Sequence, residues 1–158
     1  MKKYFMIFFY LLLSASTTNS YSYPKGCEAT GFGYSGNYLV INETGEQTFY
    51  LIQNKARQTI ELQRYETRDI FMSPSLNAII NPSAWAAFAS DLQDMYFQCF
   101  IREQHDVTPV SCHKVLDICQ YPRVKFALSN MGNYWVSVNK PQSKVIKEAI
   151  AKGILLRW

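Results

Sequence analysis

The chain has 158 residues and a formal net charge of +4, and 48% of its residues are hydrophobic. This length predicts one domain, and the apolar content excludes intrinsic disorder. The 11 tyrosines and 10 phenylalanines favour pleated, half-buried surfaces and therefore a mainly β fold. Without Lys2 and Lys3 the count is 16 − 2 = 14 basic against 12 acidic residues. Because this excess is small and forms no basic stripe, we expect no nucleic-acid partner.

Residues 1–22 have the pattern of an export signal. Lys2 and Lys3 precede an unbroken apolar run from 4 to 13, and small polar residues follow. As a helix this run would be about 15 Å long, half of a bilayer core, so a membrane anchor is the weaker interpretation. We expect cleavage after Ser20 or Ser22. The mature chain is then a soluble domain over 23–158, without a transmembrane segment, in the periplasm or outside the cell.

A segment rich in Gly, Ser and Tyr follows the signal and contains the pattern G-x-G-x-x-G over 31–36. That fingerprint binds dinucleotides only between a strand and a helix. Here it follows a leader and precedes a strand, so we expect no nucleotide cofactor. The glycines permit turns, and Phe32, Tyr34 and Tyr38 are expected to pack on the sheet. The alternative is an aromatic loop over 31–38 that binds a small ligand or a glycan.

Three strand-like runs come next, at 38–41, 48–53 and 59–65. The turn sequences between them are short, and Gly45 supplies a position that can take a positive φ. Consecutive strands joined by short loops predict an antiparallel meander.

The stretch 84–92 supports two interpretations. Asn81 and Pro82 can begin a helix whose apolar residues recur at helical spacing. The same stretch can form a strand, with 91–94 as a hairpin turn into a strong strand over 95–101. Because strands precede and follow it, we expect the hairpin.

The four cysteines predict two disulfides, because an exported chain meets an oxidising compartment. Cys112 and Cys119 are too far apart along a helix to bond each other, and they lie on opposite faces of a strand. Cys99 with Cys112 would close a hairpin and leave Cys27 for Cys119. Pairing of Cys27 with Cys99 or with Cys112 remains open, since the sequence does not choose among three connectivities.

The C-terminal part predicts a hairpin and then a helix. Strands over 124–129 and 134–138 flank a turn rich in Asn and Gly. Pro141 begins an amphipathic helix, and Gly153 ends it at the C′ position. The apolar residues 154–158 are expected to dock on the domain.

Lysines mark the polar side of this predicted helix. Lys140, Lys144 and Lys147 follow at spacings of four and three, so we expect them along one face. They form either a solvated surface or a weak contact with an anionic partner.

Candidates for catalytic or metal chemistry are few. His105 and His113 are the two histidines, and a helix would place Asp117 on the same side as His113. Zinc sites need three or four ligands at recognisable spacings, and neither a G-x-S-x-G nor a C-x-x-C motif is present. We therefore expect no metal and no cofactor. An envelope hydrolase or metal-binding protein that uses His105 and His113 is the alternative to a non-enzymatic protein.

Three stretches of the C-terminal half carry a resemblance to a known family. They are Tyr96-Phe97-Gln98-Cys99, the run from Cys112 through Cys119-Gln120-Tyr121-Pro122-Arg123, and Gly132-Asn133-Tyr134-Trp135-Val136. In these stretches the chain resembles the small exported "enhanced entry" protein B family of Legionella and related intracellular bacteria. The resemblance implies an envelope protein that helps bacteria enter host cells and survive in them, and it supplies no catalytic residues.

These patterns together predict a mainly β fold, an antiparallel β-sandwich-like single domain with a C-terminal α-helix and two disulfides. The function we expect is that of an exported, non-enzymatic interaction protein. Its partner is expected to be an envelope or host protein.

Overall fold

The computed structural model describes residues 23–29, 33–35, 38–41, 45–65, 76–104, 106–122, 124–127 and 134–156. The predicted export signal and the predicted turn over 130–133 lie outside the described residues, as do Phe32, His105 and the last two residues of the chain.

The described elements are thirteen strands and two helices. In chain order they are β1 (Glu28–Ala29), β2 (Gly33–Ser35), β3 (Tyr38–Ile41), β4 (Thr48–Asn54), β5 (Thr59–Tyr65), β6 (Leu76–Ile80), β7 (Trp85–Ser90), β8 (Met95–Glu103), β9 (Asp106–Val110), α1 (Cys112–Val115), β10 (Leu116–Tyr121), β11 (Lys125–Phe126), β12 (Tyr134–Lys140), α2 (Gln142–Ala151) and β13 (Ile154–Leu155).

Two antiparallel sheets form the body of the molecule, as the sequence predicts. Sheet A has the strand order β1-β10-β4-β7-β12. Sheet B has the order β2-β3-β8-β5-β6, and β9 also pairs with β8. Strands β11 and β13 form a separate two-stranded ribbon.

Sheet A is covered on both faces. On one face, Tyr50, Ile52 and Phe88 pack in the core shared with sheet B. On the other, Leu51 and Ala87 belong to a second core, to which α2 contributes its buried residues. Every residue of β4 and β7 is therefore buried. Strands buried on both faces need apolar residues at successive positions, which explains why β4 and β7 lack polar alternation.

Strands β3, β4 and β5 alternate between the sheets, so the meander predicted for them is wrong. Strands β3 and β5 belong to sheet B, whereas β4 lies in sheet A between β10 and β7. The burial patterns give the reason. Strand β4 is apolar on both faces and suits the middle of a covered sheet. Strand β5 keeps Thr59 and Gln63 half-buried on the side away from sheet A, which suits a sheet that is covered less completely on that side.

Residues 85–90 form strand β7, which confirms the strand interpretation and excludes the helix. The predicted hairpin is wrong, because β7 pairs with β4 and β12 in sheet A while β8 lies in sheet B. Residues 91–94 therefore cross from one sheet to the other, with Asp94 at φ +52°. The predicted C-terminal hairpin is wrong for the same reason, since β11 pairs with β13 and β12 pairs with β7.

The two disulfides that the sequence predicts are present, and the structure gives the connectivity that the sequence leaves open. Cys99 bonds Cys112 with a Cα–Cα distance of 5.2 Å, and this bond closes the β8–β9 hairpin. Cys27 bonds Cys119 at 5.5 Å and joins the N-terminal segment to β10. The predicted C-terminal helix is also present as α2, directly after Pro141, and Gly153 follows it at φ +87°.

Candidate functional site

The three predicted contact lysines are divided between two elements. Lys140 is the last residue of β12, and its ammonium group pairs with the Glu148 carboxylate on α2. This hydrogen bond is the first cause that holds the pKa of Glu148 below its ordinary value. Lys144 and Lys147 are exposed on α2 and form no ion pair within the described residues. The helix therefore presents two of the three lysines, and contact with an anion stays a prediction.

Of the two histidine candidates, the structure describes His113. His113 is exposed on α1, and its Nδ1 lies 2.8 Å from the Ser111 hydroxyl oxygen. Helix α1 ends at Val115, so Asp117 lies in β10, where its carboxylate pairs with Lys55 at 2.9 Å. Within the described residues no group of three or more His, Cys, Asp or Glu side chains is arranged to hold a metal ion.

Tyr38 belongs to a larger surface than the loop that the sequence indicates. Of the aromatic residues over 31–38, the structure describes the backbone of Tyr34 in β2 and the whole of Tyr38 in β3. The neighbours of Tyr38 in β3, Leu39 and Ile41, point into the core between the sheets. Because side chains alternate along a strand, Tyr38 points away from sheet A.

We call the side of sheet B that points away from sheet A the outer face. The register of the strands places fourteen described side chains there. They are Tyr38, Val40, Thr59, Glu61, Gln63, Tyr65, Asn77, Ile79, Tyr96, Gln98, Phe100, Arg102, Val107 and Pro109.

Strand β8 runs through the middle of the outer face and carries a stripe of three half-buried side chains, Tyr96, Gln98 and Phe100. We call these three residues the β8 stripe. Its neighbours on β5 are Tyr65 beside Tyr96, Gln63 beside Gln98 and Glu61 beside Phe100. The two rings of the stripe are four residues apart, which is about 13 Å along a strand.

Tyrosine rings support one end of the stripe. The Tyr38 ring lies edge-on to Tyr65 with a centroid distance of 5.5 Å and edge-on to Tyr96 at 6.2 Å. Tyr38 and Tyr65 are buried although they lie on the outer face. Edge-to-face contacts of this kind are favourable and fix the ring orientations.

A hydrogen-bonded network occupies the centre of the face beside the stripe. Arg102 Nη1 donates to Glu61 Oε2 at 2.9 Å, and Gln63 Nε2 donates to Glu61 Oε1 at 2.8 Å. The Tyr65 hydroxyl donates to Gln63 Oε1 at 2.7 Å. Burial, followed by the proximity of Tyr38 and Glu61, raises the pKa of Tyr65, so this hydroxyl remains a donor at neutral pH.

The network neutralises the charge of the outer face. Glu61 and Arg102 are the two charged side chains among the fourteen described there, and they pair with each other. The Glu61 side chain is 9% exposed and that of Arg102 is 46% exposed. The carboxylate is therefore held inside the network, and the fourteen described side chains of the face together carry no net charge.

Gln98 differs from the other amides in having no partner. Gln63 and Asn77 both donate to Glu61. Within the described part of the chain, the side-chain amide of Gln98 forms no hydrogen bond. An unpaired donor and acceptor therefore lie between two half-buried rings at the middle of the face.

The outer face is partly exposed: the β8 stripe is half-buried, whereas Tyr38, Val40, Glu61 and Tyr65 are buried. Helix α2 contacts β7, β12 and β13, and α1 contacts β10, so both helices lie away from this side of sheet B. The sequence carries a signal for this face in the alternation of β5 and β8, but only the pairing of distant strands brings the residues together.

Comparison with known proteins identifies no relative: no family model, no curated protein and no solved structure matches the chain. Among the described residues, no helix has the length and apolar character needed to cross a bilayer.

Proposed function

We propose that this chain is an exported, non-enzymatic binding module that recognises its partner with the outer face of sheet B. The observation that carries this proposal is the β8 stripe, in which an amide with no hydrogen-bond partner among the described residues lies between two half-buried rings at the middle of the outer face. Tyrosine and other aromatic side chains dominate the energetics of recognition surfaces, because they offer a large contact area with few rotatable bonds.

The chemistry of the face favours binding over catalysis. Its one described carboxylate, Glu61, accepts hydrogen bonds from Arg102, Gln63 and Asn77. A carboxylate engaged in this way orders its neighbours. Histidine and cysteine, the usual bases and nucleophiles, do not occur among the fourteen described side chains of this face.

Export is supported by the signal-like pattern over 1–22 and by the two disulfides, which form in oxidising compartments. The place of action is then the periplasm or the outside of the cell. The resemblance to the enhanced entry protein B family supports a partner in the bacterial envelope or on a host cell, and a role in entry or survival.

Site-specific photocrosslinking tests the recognition surface directly. The variant Gln98→p-benzoylphenylalanine places a crosslinker on the β8 stripe. The variant Ile150→p-benzoylphenylalanine is the control, because Ile150 is 50% exposed on α2, away from sheet B. Benzophenone inserts into carbon–hydrogen bonds, so it captures proteins and carbohydrates alike. Both variants are expressed in the bacterium that naturally produces the protein. Intact cells are then irradiated, with and without host cells.

We expect a saturable adduct from position 98 and none of the same mass from position 150. Adducts at equal yield from both positions would show that the outer face has no special role. The absence of an adduct from position 98 in every compartment would refute the proposal.

A further inference from the structure

We infer that the ligand of the outer face is an uncharged oligosaccharide chain that lies along the β8 stripe and contacts both of its rings. This inference rests on the proposed function and names the class of ligand. Three observations carry it: the neutrality of the face, the arrangement of ring, amide and ring, and the spacing of the two rings.

Neutrality argues against a charged ligand. The Glu61–Arg102 pair satisfies the two described charges of the face internally. An anionic ligand would have to compete with Glu61 for Arg102, and a cationic ligand would have to compete with Arg102 for Glu61. Breaking such a pair leaves a largely buried carboxylate without its partner, which is unfavourable. A neutral ligand contacts the face without this loss.

The chemistry of the β8 stripe is complementary to sugars. The electrostatic potential over the face of an aromatic ring is negative, and the hydrogen atoms of the carbon–hydrogen bonds on the face of a pyranose ring carry a small partial positive charge. The two faces therefore attract each other. Tyr96 and Phe100 offer two such rings. The amide of Gln98 supplies one acceptor and two donors that have no partner among the described residues, and hydroxyl groups can use all of them.

The spacing of the rings points to a chain and not to a single sugar. Tyr96 and Phe100 are about 13 Å apart along β8, a distance longer than one pyranose ring. An extended, β-linked oligosaccharide can cover both rings at once, whereas a monosaccharide reaches one of them. Affinity should therefore rise steeply with chain length.

The arrangement is also held in place before a ligand arrives. The Tyr38 ring supports the Tyr96 ring from the side, and β8 pairs with β5 along the whole stripe. Cys99 points inward between Gln98 and Phe100 and is bonded to Cys112. A pre-ordered surface loses little conformational entropy when it binds, which raises the affinity of a shallow site.

The test uses the folded, oxidised chain and four defined probes. Chitohexaose and cellohexaose are titrated to millimolar concentration against 15N-labelled protein, and chemical shifts are followed by NMR. N-acetylglucosamine is the short control and polygalacturonate the anionic control. We expect saturable shifts of β8 and β5 amides with at least one of the hexasaccharides, and affinity for N-acetylglucosamine at least about tenfold weaker, as expected when one of two ring contacts is lost.

Variants then identify the residues responsible. Tyr96→Ala and Phe100→Ala should each lower the affinity for the hexasaccharide by about tenfold. Ile150→Ala on α2, outside the proposed site, should leave it within about twofold. Wild-type shift mapping does not depend on the folding of any variant, so it decides the location of the site if an alanine variant is unstable.

Several results would overturn the inference. They are the absence of binding by both hexasaccharides, tighter binding of polygalacturonate, equal affinity for N-acetylglucosamine, and shifts that map away from sheet B.

Failure of the ligand class is distinguishable from failure of the proposed function. If position 98 crosslinks to a protein while neither hexasaccharide binds, the partner is a protein and only the oligosaccharide is refuted. If position 98 gives no adduct and neither hexasaccharide binds, both proposals fail.

Discussion

The Cys27–Cys119 disulfide is expected to stabilise the protein more than the Cys99–Cys112 disulfide. A crosslink removes loop-closure entropy from the unfolded chain, and the effect grows with the number of residues that the bond encloses. The two bonds join residues 92 and 13 positions apart. The entropy relation gives about 4.6 kcal/mol for the longer loop and about 2.9 kcal/mol for the shorter one. The expected difference in unfolding free energy is therefore about 1.7 kcal/mol.

The two contributions are close to independent although one loop contains the other. With the short bond in place, the effective length of the long loop is 92 − 13 = 79 residues. This shortening changes its expected contribution by about 0.1 kcal/mol. Each bond can thus be removed separately, and the two effects can be compared directly.

The assay is urea unfolding of the variants Cys27→Ala/Cys119→Ala and Cys99→Ala/Cys112→Ala beside the wild-type chain. Each variant removes two sulfur atoms from buried positions, so the packing losses are similar and largely cancel in the comparison. If the first variant is unfolded in water, the same amount of TMAO added to all samples brings it into range. Equal destabilisation by the two variants, or a larger loss for Cys99→Ala/Cys112→Ala, would refute the chain-entropy reasoning.

Three further predictions concern single residues. Gly45→Ala should lower the unfolding free energy by about 1–3 kcal/mol in urea titrations, because Gly45 has φ +70° and an added Cβ would lie 3.2 Å from Gln93 Cβ; an unchanged value would contradict this. Phe88→Ala should cost about 3–5 kcal/mol in the same assay, since Phe88 is fully buried between the sheets; a loss below about 1 kcal/mol would show that the core collapses around the gap. In the variant Glu148→Gln, Tm should fall less than in the wild type when the pH is lowered from about 6 to about 3. The lowered pKa of Glu148, caused first by its hydrogen bond from Lys140, gives stability that is full above the ordinary pKa of 4.5 and lost as pH falls through the lowered value. Equal Tm loss in variant and wild type would contradict this last prediction.

Strands and disulfides could be predicted from local sequence, whereas strand pairing could not. Apolar and polar residues alternate over 59–65, and turn sequences bound residues 85–90. Both stretches are therefore recognisable as strands. The connections at 55–58 and 91–94 are equally short whether they turn back within one sheet or cross to the other. The choice depends on which faces are buried by residues far away in the chain. That information appears only when α2 and sheet B cover the two sides of sheet A.

The same limit applies to the candidate site. The sequence indicates Tyr38 as a candidate because it follows a glycine-rich segment. Tyr38 lies on the outer face for a different reason, which is its position in β3. Tyr65 and Tyr96 are 31 positions apart and lie side by side in the register of β5 and β8. Local pattern therefore indicates which residues can face outward, but sheet pairing decides which of them meet.

The layered architecture explains why the proposed binding surface lies on sheet B and not on sheet A. Sheet A is covered on both sides, so its strands β4 and β7 have no exposed residue to offer a partner. Sheet B packs on sheet A with one face and keeps the β8 stripe half-exposed on the other. Strand β8 lies in the interior of sheet B, between β5 on one side and β3 and β9 on the other. Hydrogen bonds on both edges and the bond of Cys99 to Cys112 hold this strand in place. A binding surface is most effective on such a rigid element, because the side chains that it presents do not have to be ordered by the ligand. The disulfide that constrains the unfolded chain least is thus the one that lies directly beneath the proposed recognition surface, and its main contribution there is to the geometry of the folded state.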